Sequence, residues 1–407
     1  MSETSSGSKS SGKGKPSWRT RNLWIISWVS LLQDAASEML YPIMPIFLNT
    51  VLGAPAAIVG AIEGAAEGMM ALTKLLSKHI NRFLNRKNMV FIGYALAAVG
   101  KFIISLAGSW PIVLLGRVTD RLGKGIRSTA RDAILVQGVE SHHRGKVIGF
   151  HRTGDTAGAV VGPILALALL ALFDNDIRSV LWIAVIPAVL STLLVLLIRD
   201  HEPHTARSVK ATEKFTRANP NPADLAGPIK RLIWVLAIFS LVNFPDALLL
   251  LHLNQDGFSV TAVVGLYLLF NISYASLSFP MGMLADRMKP QHVYAIGLLC
   301  FAIAYGGLAL TANQLLSTLL VVVYGGFAAA NDVVGKSWVS KLAGSHQQLT
   351  VQARLQGLTG FGLLFAGIWA GSIWTLGAGL GTVPLLISAA VGLVAAVVIA
   401  RTKLSAI

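Results

Sequence analysis

The chain has 407 residues, of which 54% are apolar and only 13% charged, and its formal net charge is +15. So high an apolar fraction excludes an ordinary soluble domain and indicates a protein that crosses a membrane many times. The single cysteine, Cys300, excludes an intramolecular disulfide.

Apolar runs of about 20 residues, separated by polar or Pro/Gly breaks, predict twelve membrane spans. In chain order, spans 1 to 12 are 23–48, 56–77, 89–108, 111–136, 147–172, 179–198, 230–253, 260–284, 291–312, 314–337, 349–375 and 381–400. A polar tail (1–22), a polar linker (199–229) and a C-terminal tail (402–407) flank two sets of six spans. The sequence therefore predicts an all-α membrane protein with two six-helix bundles, 23–198 and 230–401.

Lys and Arg are concentrated in the connections on one side of these spans, whereas the opposite connections contain only Arg178. Because positively charged connections stay in the cytoplasm, both termini are predicted to be cytoplasmic. The same bias accounts for the net positive charge, so no nucleic-acid partner is expected.

Span 4 carries a row of cations on one broad helical face. The row consists of Arg117, Arg121, Lys124, Arg127 and Arg131. Charge at membrane depth is costly and is found mainly where a protein lines a polar cavity. Span 4 is therefore predicted to face a substrate path, with Arg117, Arg121 and Lys124 as substrate contacts.

Acids in spans 1, 2 and 5 are candidates for binding a proton. They are Asp34, Glu38, Glu67 and Asp155. A rise of about 1.5 Å per residue places Asp34, Glu67 and Arg121 at similar depths near the membrane midplane, so these three are candidate partners. A structural alternative stays open, in which the buried charges form ion pairs that hold the bundle together without contacting a solute.

The second half of the chain has fewer polar residues at membrane depth, and Asn243, Asp246 and Asn271 are its candidates for substrate binding. The two halves also echo each other. Tyr41-Pro42 has a counterpart in Phe244-Pro245, and Asp120-x-x-x-Lys124 has one in Asp332-x-x-x-Lys336. Such an internal repeat indicates two related bundles.

The string Gly282-Met-Leu-Ala-Asp286-Arg287 after span 8 resembles the Gly-x-x-x-Asp-Arg loop of the major facilitator superfamily. The first-half copy keeps Arg82, whereas Ser77 and Asn81 replace the Gly and Asp. The strings Gly123-Lys-Gly-Ile-Arg127 and Ala130-Arg-Asp-Ala133 resemble a widespread bacterial group of that superfamily. The predicted gating residues are Arg82, Gly282, Asp286, Arg287, Arg127 and Arg131.

Gly154, Gly158 and Gly162-Pro163 in span 5 resemble part of the superfamily's glycine-rich antiporter signature. Close helix packing with a proline kink is an equally good explanation of this pattern.

The resemblance implies a monomeric secondary transporter of the bacterial inner membrane, with alternating access around a midplane site. We expect proton-coupled export of a small organic solute; uptake of an anionic solute or metal chelate is the alternative, and a membrane-embedded transferase is a remote one. The expected partners are the solute, protons and the lipid bilayer, and no catalytic, metal or cofactor motif is apparent.

Bases slightly outnumber acids in the first bundle, which favours anionic or zwitterionic solutes bound by Arg121 and Arg117. This argument fails if each arginine is neutralised by a carboxylate.

Overall fold

The computed structural model describes residues 18–80, 84–137, 139–140, 143–199, 225, 227–342, 348–377 and 381–401. Outside these ranges lie residues 1–17 of the predicted N-terminal tail, the predicted C-terminal tail, most of the linker and the candidate gating residue Arg82. Within them the chain forms twelve helical units, in the order of the predicted spans. The first six are α1 (Arg21–Leu40), α2 (Ala56–Ile80), α3 (Arg86–Ser105), α4 (Trp110–Leu135), α5 (Arg144–Leu172) and α6 (Ile177–Val195).

The second six units include two interrupted helices. The interrupted helices are α7 and α10. The six units are α7 (Gly227–Phe239 and Asp246–Gln255), α8 (Val260–Arg287), α9 (Pro290–Leu310), α10 (Gln314–Ala329, continued by a π-helical segment Ala330–Gly335 and by Lys336–Leu342), α11 (Gln348–Ser372) and α12 (Thr382–Arg401). Successive units run in opposite directions across the membrane. We call the side at which α1 begins the near side, and the opposite side the far side.

Both α1 and α7 are interrupted, although spans 1 and 7 were predicted as continuous helices. Proline has no backbone N–H and its ring clashes with the preceding helical turn. Accordingly, α1 stops before Pro42 and the chain continues through Met44–Ile46 and a π-helical segment, Phe47–Val51. The chain leaves the helix after Phe239 and resumes it at Asp246, directly after Pro245. The two breaks fall at the Tyr41-Pro42 and Phe244-Pro245 repeat.

The helix contacts repeat when six is added to each helix number. In the first bundle α3 packs on α4, α1 on α5, and α2 on α4; in the second, α9 packs on α10, α7 on α11, and α8 on α10. Across the bundles, α2 packs on α11 and α5 on α8, and these two contacts are related by the same shift. The prediction of two pseudo-symmetric six-helix bundles is thus confirmed.

Eight of the described helices are long and apolar enough to cross a membrane by themselves: α2, α3, α5, α6, α8, α9, α10 and α12. The remaining four are α1, α4, α7 and α11. The row of charges lowers the hydropathy of α4, and Gln33, Asp34 and Glu38 lower that of α1, whereas the break shortens α7. These four helices pack against other helices of the fold, and those contacts support their membrane-spanning position.

Contacts between the bundles close the far side. The segment Met44–Ile46 packs on Asp246–Gln255, and Gln255 Nε2 donates to Asn49 Oδ1 at 3.4 Å. Nearby, Thr261 donates to Asn175 at 2.7 Å. Deeper in the interface the backbones of Gly60 and Gly367 touch, since a Cβ on Gly60 would lie 2.2 Å from the Gly367 carbonyl oxygen.

Candidate functional site

A cavity of about 530 Å³ lies between the two bundles. Its walls come from α1 and α2 of the first bundle and from α7, α8, α10 and α11 of the second. Lys74 and Lys336, near the near-side ends of α2 and α10, form one end, whereas Tyr41 and Pro245 at the helix breaks form the other. A cavity of this size and position suits a small organic solute.

The cations at the far end of the α4 row are paired with carboxylates of α2. Arg117 bonds to Glu63, and both side chains are almost fully buried. Arg121 contacts Glu67 at 3.1 Å. This pairing is the condition under which the argument for an anionic solute fails for these two arginines. The described residues that line the cavity include Glu63 and Glu67, but not Arg117, Arg121 or Lys124.

A third buried pair joins α3 to α4. Lys101 donates to Asp120 at 2.8 Å, with side-chain exposures of 2% and 4%. Glycines allow this approach, because a Cβ on Gly100 would lie 2.5 Å from the carbonyl oxygen of Gly116. The pair therefore belongs to the packing between these helices.

Arg127 and Arg131, predicted to act in gating, make their contacts inside the first bundle. Arg127 donates to the Gly93 carbonyl at 3.2 Å and lies over the Tyr94 ring at 4.4 Å. Arg131 contacts Asp132 at 3.0 Å, Asp155 at 4.0 Å and the Ser30 hydroxyl at 3.2 Å. In this conformation both residues link α4 to its neighbours within the same bundle.

The carboxylates of α1 differ from those of α2 because, among the residues that the structure describes, neither forms an ion pair. Glu38 accepts a hydrogen bond of 2.6 Å from the hydroxyl of Tyr267, which lies on α8 in the other bundle. Asp34 has no ion pair or hydrogen bond within the described ranges. Its electrostatic interactions are with Lys124 first, then Asp155 and the arginines of α4.

Glycines of α5 set the position of both α1 acids. A Cβ on Gly158 would lie 2.9 Å from the Cβ of Asp34, and one on Gly162 would lie 2.8 Å from the Cβ of Glu38. The spacing of four residues on each helix keeps the two contacts in register. The glycine pattern therefore brings the backbone of α5 directly against the two acids.

In the second bundle the cavity wall is built from tyrosine hydroxyls and aromatic rings. Tyr324 donates to Asp246 at 2.5 Å, and Tyr274 donates at 2.9 Å to Asp332, which also bonds to Lys336. Phe270 stacks on Tyr267, Tyr274 and Tyr324. The aromatic set was not predicted, although the spacing of Tyr267, Phe270 and Tyr274 places them on one helical face.

Two predicted substrate contacts on this wall are asparagines with unsatisfied atoms. Within the described residues, Asn243 Oδ1 and Asn271 Nδ2 are buried without a hydrogen-bond partner. Both residues line the cavity together with Asp246. The three candidates from the second half are therefore brought together.

The superfamily-like string from Gly282 to Arg287 forms the last turns of α8 rather than a loop. A Cβ on Gly282 would lie 3.4 Å from Val333 of α10, so the glycine permits ordinary packing there. Asp286 and Arg287 are exposed at the near side. Both residues lie at the end of α8, more than three helical turns beyond the cavity wall at Tyr274.

Comparison with known proteins places this architecture in a family. The model of the Major Facilitator Superfamily matches residues 26–273. An uncharacterised MFS-type transporter of Methanocaldococcus jannaschii is 28% identical over 363 residues, which are 88% of this chain and 89% of that protein. The chain belongs to the Major Facilitator Superfamily and is a transporter, not an enzyme, so the transferase alternative is wrong.

Solved structures share the fold at low sequence identity. The nucleoside transporter NupG has a TM-score of 0.74 at 16% identity, with 94% of this chain and 100% of that chain covered. A D-xylose–proton symporter has a TM-score of 0.74 at 15% identity, with 95% and 99% covered.

Proposed function

We propose that this protein is a proton-coupled secondary transporter that exports a small organic solute across the bacterial inner membrane as a monomer. The observation that carries the proposal is the hydrogen bond between Glu38 of the first bundle and Tyr267 of the second. It joins a protonatable group directly to the contact that has to open for the cavity to reach the far side.

The state of Glu38 changes the strength of this bond. A hydroxyl binds a carboxylate about twice as strongly as a neutral acceptor. The ionised Glu38 therefore stabilises far-side closure, and a proton on Glu38 weakens it. Opening in turn separates Glu38 from Tyr267 and exposes it to the far-side solution, so proton binding and opening are coupled.

Asp34 extends the proton site on α1. It lies one helical turn from Glu38, and Lys124 is the cation with which both acids interact most strongly. Asp155 interacts with Asp34 from α5 and provides a path toward the near side. Of the four predicted acids, Glu67 is the least available for proton binding, because it is paired with Arg121.

Export is favoured by the glycines of α5, which resemble the antiporter signature and pack against the two acids. The excess of Lys and Arg in the near-side connections supports a cytoplasmic near side. A proton entering from outside would then drive the solute out.

The test uses purified protein in vesicles with an imposed pH gradient and a panel of labelled neutral, anionic and cationic solutes. If the protein exchanges a solute for a proton, the solute should accumulate inside inside-out vesicles that have an acidic lumen. If it takes up the solute together with a proton, the solute should accumulate inside right-side-out vesicles placed in an acidic medium. Glu38→Gln and Asp34→Asn should each abolish pH-driven accumulation but keep downhill exchange. Asp174→Asn, at an exposed position with a φ of 49° that asparagine tolerates, is the matched control. Gradient-driven transport by both acid variants would contradict the proposal.

A further inference from the structure

We propose that the cavity binds a flat, uncharged ring solute with an amide-like edge, its face on Phe270 and its edge on Asn243 and Asn271. This inference rests on the proposed transport function and names the substrate class of the same site. Three independent features of the cavity wall carry it: a stack of parallel rings, two unsatisfied amides and a balance of charge.

The ring stack offers a flat, fixed surface. Phe270 lines the cavity, and its ring centroid lies 5.3 Å from Tyr324, 6.0 Å from Tyr267 and 6.5 Å from Tyr274. The interplanar angles of 23°, 29° and 14° keep the rings nearly parallel. Neighbours on three sides hold the phenyl ring in one orientation. Such a surface favours a planar solute over a puckered one of equal size, because only the planar ring makes contact over its whole face.

The two asparagines bring polar side chains to the cavity wall. Asn243 lies in the break of α7, and Asn271 follows Phe270 on α8. Asn243 Oδ1 is an acceptor without a partner among the described residues; Asn271 Nδ2 is a donor that forms no regular hydrogen bond, although the Asn271 side chain interacts with the Tyr267 hydroxyl. A solute in the cavity would lie close to both amides. A solute with a donor and an acceptor on one edge complements both, even if an amide is turned over.

The charges on the wall are balanced before any solute enters. Glu63 and Glu67 are paired with Arg117 and Arg121, and Asp332 with Lys336. Asp246 is held by the hydroxyl of Tyr324, and Lys74 donates to Gln356 at 3.2 Å. An anionic solute that bound Arg117, Arg121 or Lys336 would have to take that cation from its carboxylate and leave the carboxylate unpaired. An uncharged solute disturbs none of these contacts.

The test is equilibrium binding of tritiated 2-naphthamide to the full-length protein in lipid nanodiscs, with three unlabelled competitors. Decahydronaphthalene-2-carboxamide keeps the edge but is not flat, methyl 2-naphthoate keeps the rings but lacks the donor, and 2-naphthoate is the anion. We expect the puckered amide to compete about fivefold more weakly than 2-naphthamide, and the ester about tenfold more weakly. The anion should compete more weakly than the amide.

Variants assign each preference to its residues. Phe270→Leu should remove the preference for the flat amide but keep the preference for the amide over the ester. Asn243→Ala and Asn271→Ala should do the reverse. Phe365→Leu, the same change on an exposed part of α11, should keep both preferences. The affinities of the competitors are compared as ratios within each variant, so a smaller amount of functional protein in one variant does not change the result. Phe270→Tyr keeps an aromatic ring at this position and should therefore keep the preference for the flat amide over the puckered amide. This variant is measured beside Phe270→Leu and serves in its place if Phe270→Leu does not fold.

The inference is overturned if wild-type protein does not bind 2-naphthamide, if the puckered amide or the anion competes equally well, or if Phe270→Leu keeps the flat preference. No pH gradient is used, so the result is independent of proton coupling. Gradient-driven transport without these preferences contradicts only this inference. The preferences without gradient-driven transport contradict only the proposed function.

Discussion

The two bundles build a polar interior from different materials, although they share one helix arrangement. In the first bundle, buried ion pairs join α2 to α4 and α3 to α4. In the second bundle, tyrosine hydroxyls bind carboxylates beside a stack of rings. The first bundle thus holds its helices together with charge, whereas the second presents tyrosine hydroxyls, the carboxylates that they bind and aromatic rings to the cavity.

One repeated motif shows how this difference arises. In α10, Asp332 and Lys336 pair with each other along the π-helical segment, with side chains 31% and 43% exposed. In α4, the equivalent Asp120 pairs with Lys101 of α3. Lys124 is left without an ion pair or hydrogen bond in the described part of the chain. The aspartate thus pairs within its own helix in the second bundle, but with a neighbouring helix in the first. As a result, Lys124 of the first bundle interacts with Asp34 and Glu38 instead.

The largest expected effect comes from breaking a buried pair of the first bundle. Arg117→Met leaves Glu63 as an unpaired buried charge and should cost about 3–5 kcal/mol of stability. Lys336→Met breaks the partly exposed pair of the second bundle and should cost about 1 kcal/mol or less. Unfolding in detergent measures both, and adding Glu63→Gln to Arg117→Met should recover part of the loss. Equal losses from the two single variants would remove the contrast between the bundles.

The next effect concerns the glycines that place the acids. Gly158→Ala puts a Cβ 2.7 Å from the Leu31 carbonyl oxygen, a backbone atom, so α1 and α5 have to separate. Such overpacking costs about 1–3 kcal/mol, and pH-driven transport should fall with it. Gly265→Ala on α8 is the matched control, because no neighbouring atom lies within 4 Å of the added Cβ. Its stability should stay the same or rise by up to about 1 kcal/mol. A loss in the control as large as in Gly158→Ala would show that helix position plays no part.

A smaller effect is expected from Tyr267→Phe, which removes the hydrogen bond to Glu38 across the bundles. Loss of this bond should cost about 1.5 kcal/mol, the lower limit for a bond to a charged group, so the far-side contact should open about tenfold more often. Cross-linking between cysteines at positions 49 and 255, in a Cys300→Ser background, reports closure and should decrease. Tyr324→Phe removes a bond inside the second bundle and should leave cross-linking unchanged. The reverse order of effects would contradict a role for Glu38 in closure.

The smallest effect is expected from Arg121→Lys. Lysine keeps the charge opposite Glu67, so stability should change by less than about 1 kcal/mol, and transport of a neutral solute should persist. The same variant tests the anion hypothesis from the sequence. Loss of transport of an identified anion at normal expression would establish a direct role for the arginine, and unchanged transport would remove that hypothesis.

The sequence predicted the fold well because eight of the described helices carry their own signal of length and hydropathy, and the other four follow from the spacing of the breaks between them. The family and the repeat were also readable. The Tyr-Pro and Phe-Pro pairs were recognised as a repeat, but the helix breaks at these pairs were not predicted. The pairing of charges was only partly predictable. Depth along a helix put Asp34, Glu67 and Arg121 on one level, but only helix packing decides that α2, rather than α1, faces Arg121. The unsatisfied asparagines and the ring stack depend on three-dimensional contacts between helices and had no such signal.

The two proline breaks have a mechanical consequence. Beyond Pro42 and Pro245, the short segments Met44–Val51 and Asp246–Gln255 form the far-side contact. The regular α-helical hydrogen-bond pattern of α1 and α7 is interrupted before them, although the Ile43 N–H still donates to the Leu40 carbonyl across Pro42. Each segment is a short helical piece that is connected to its main helix through a break at a proline. We expect these segments to move when the far side opens, while the ion pair of Glu63 and the rings around Phe270 keep their places. Asp246 is the one residue of these two segments that also lines the cavity. Changes elsewhere in the segments should therefore alter turnover, and changes in the wall should alter selectivity.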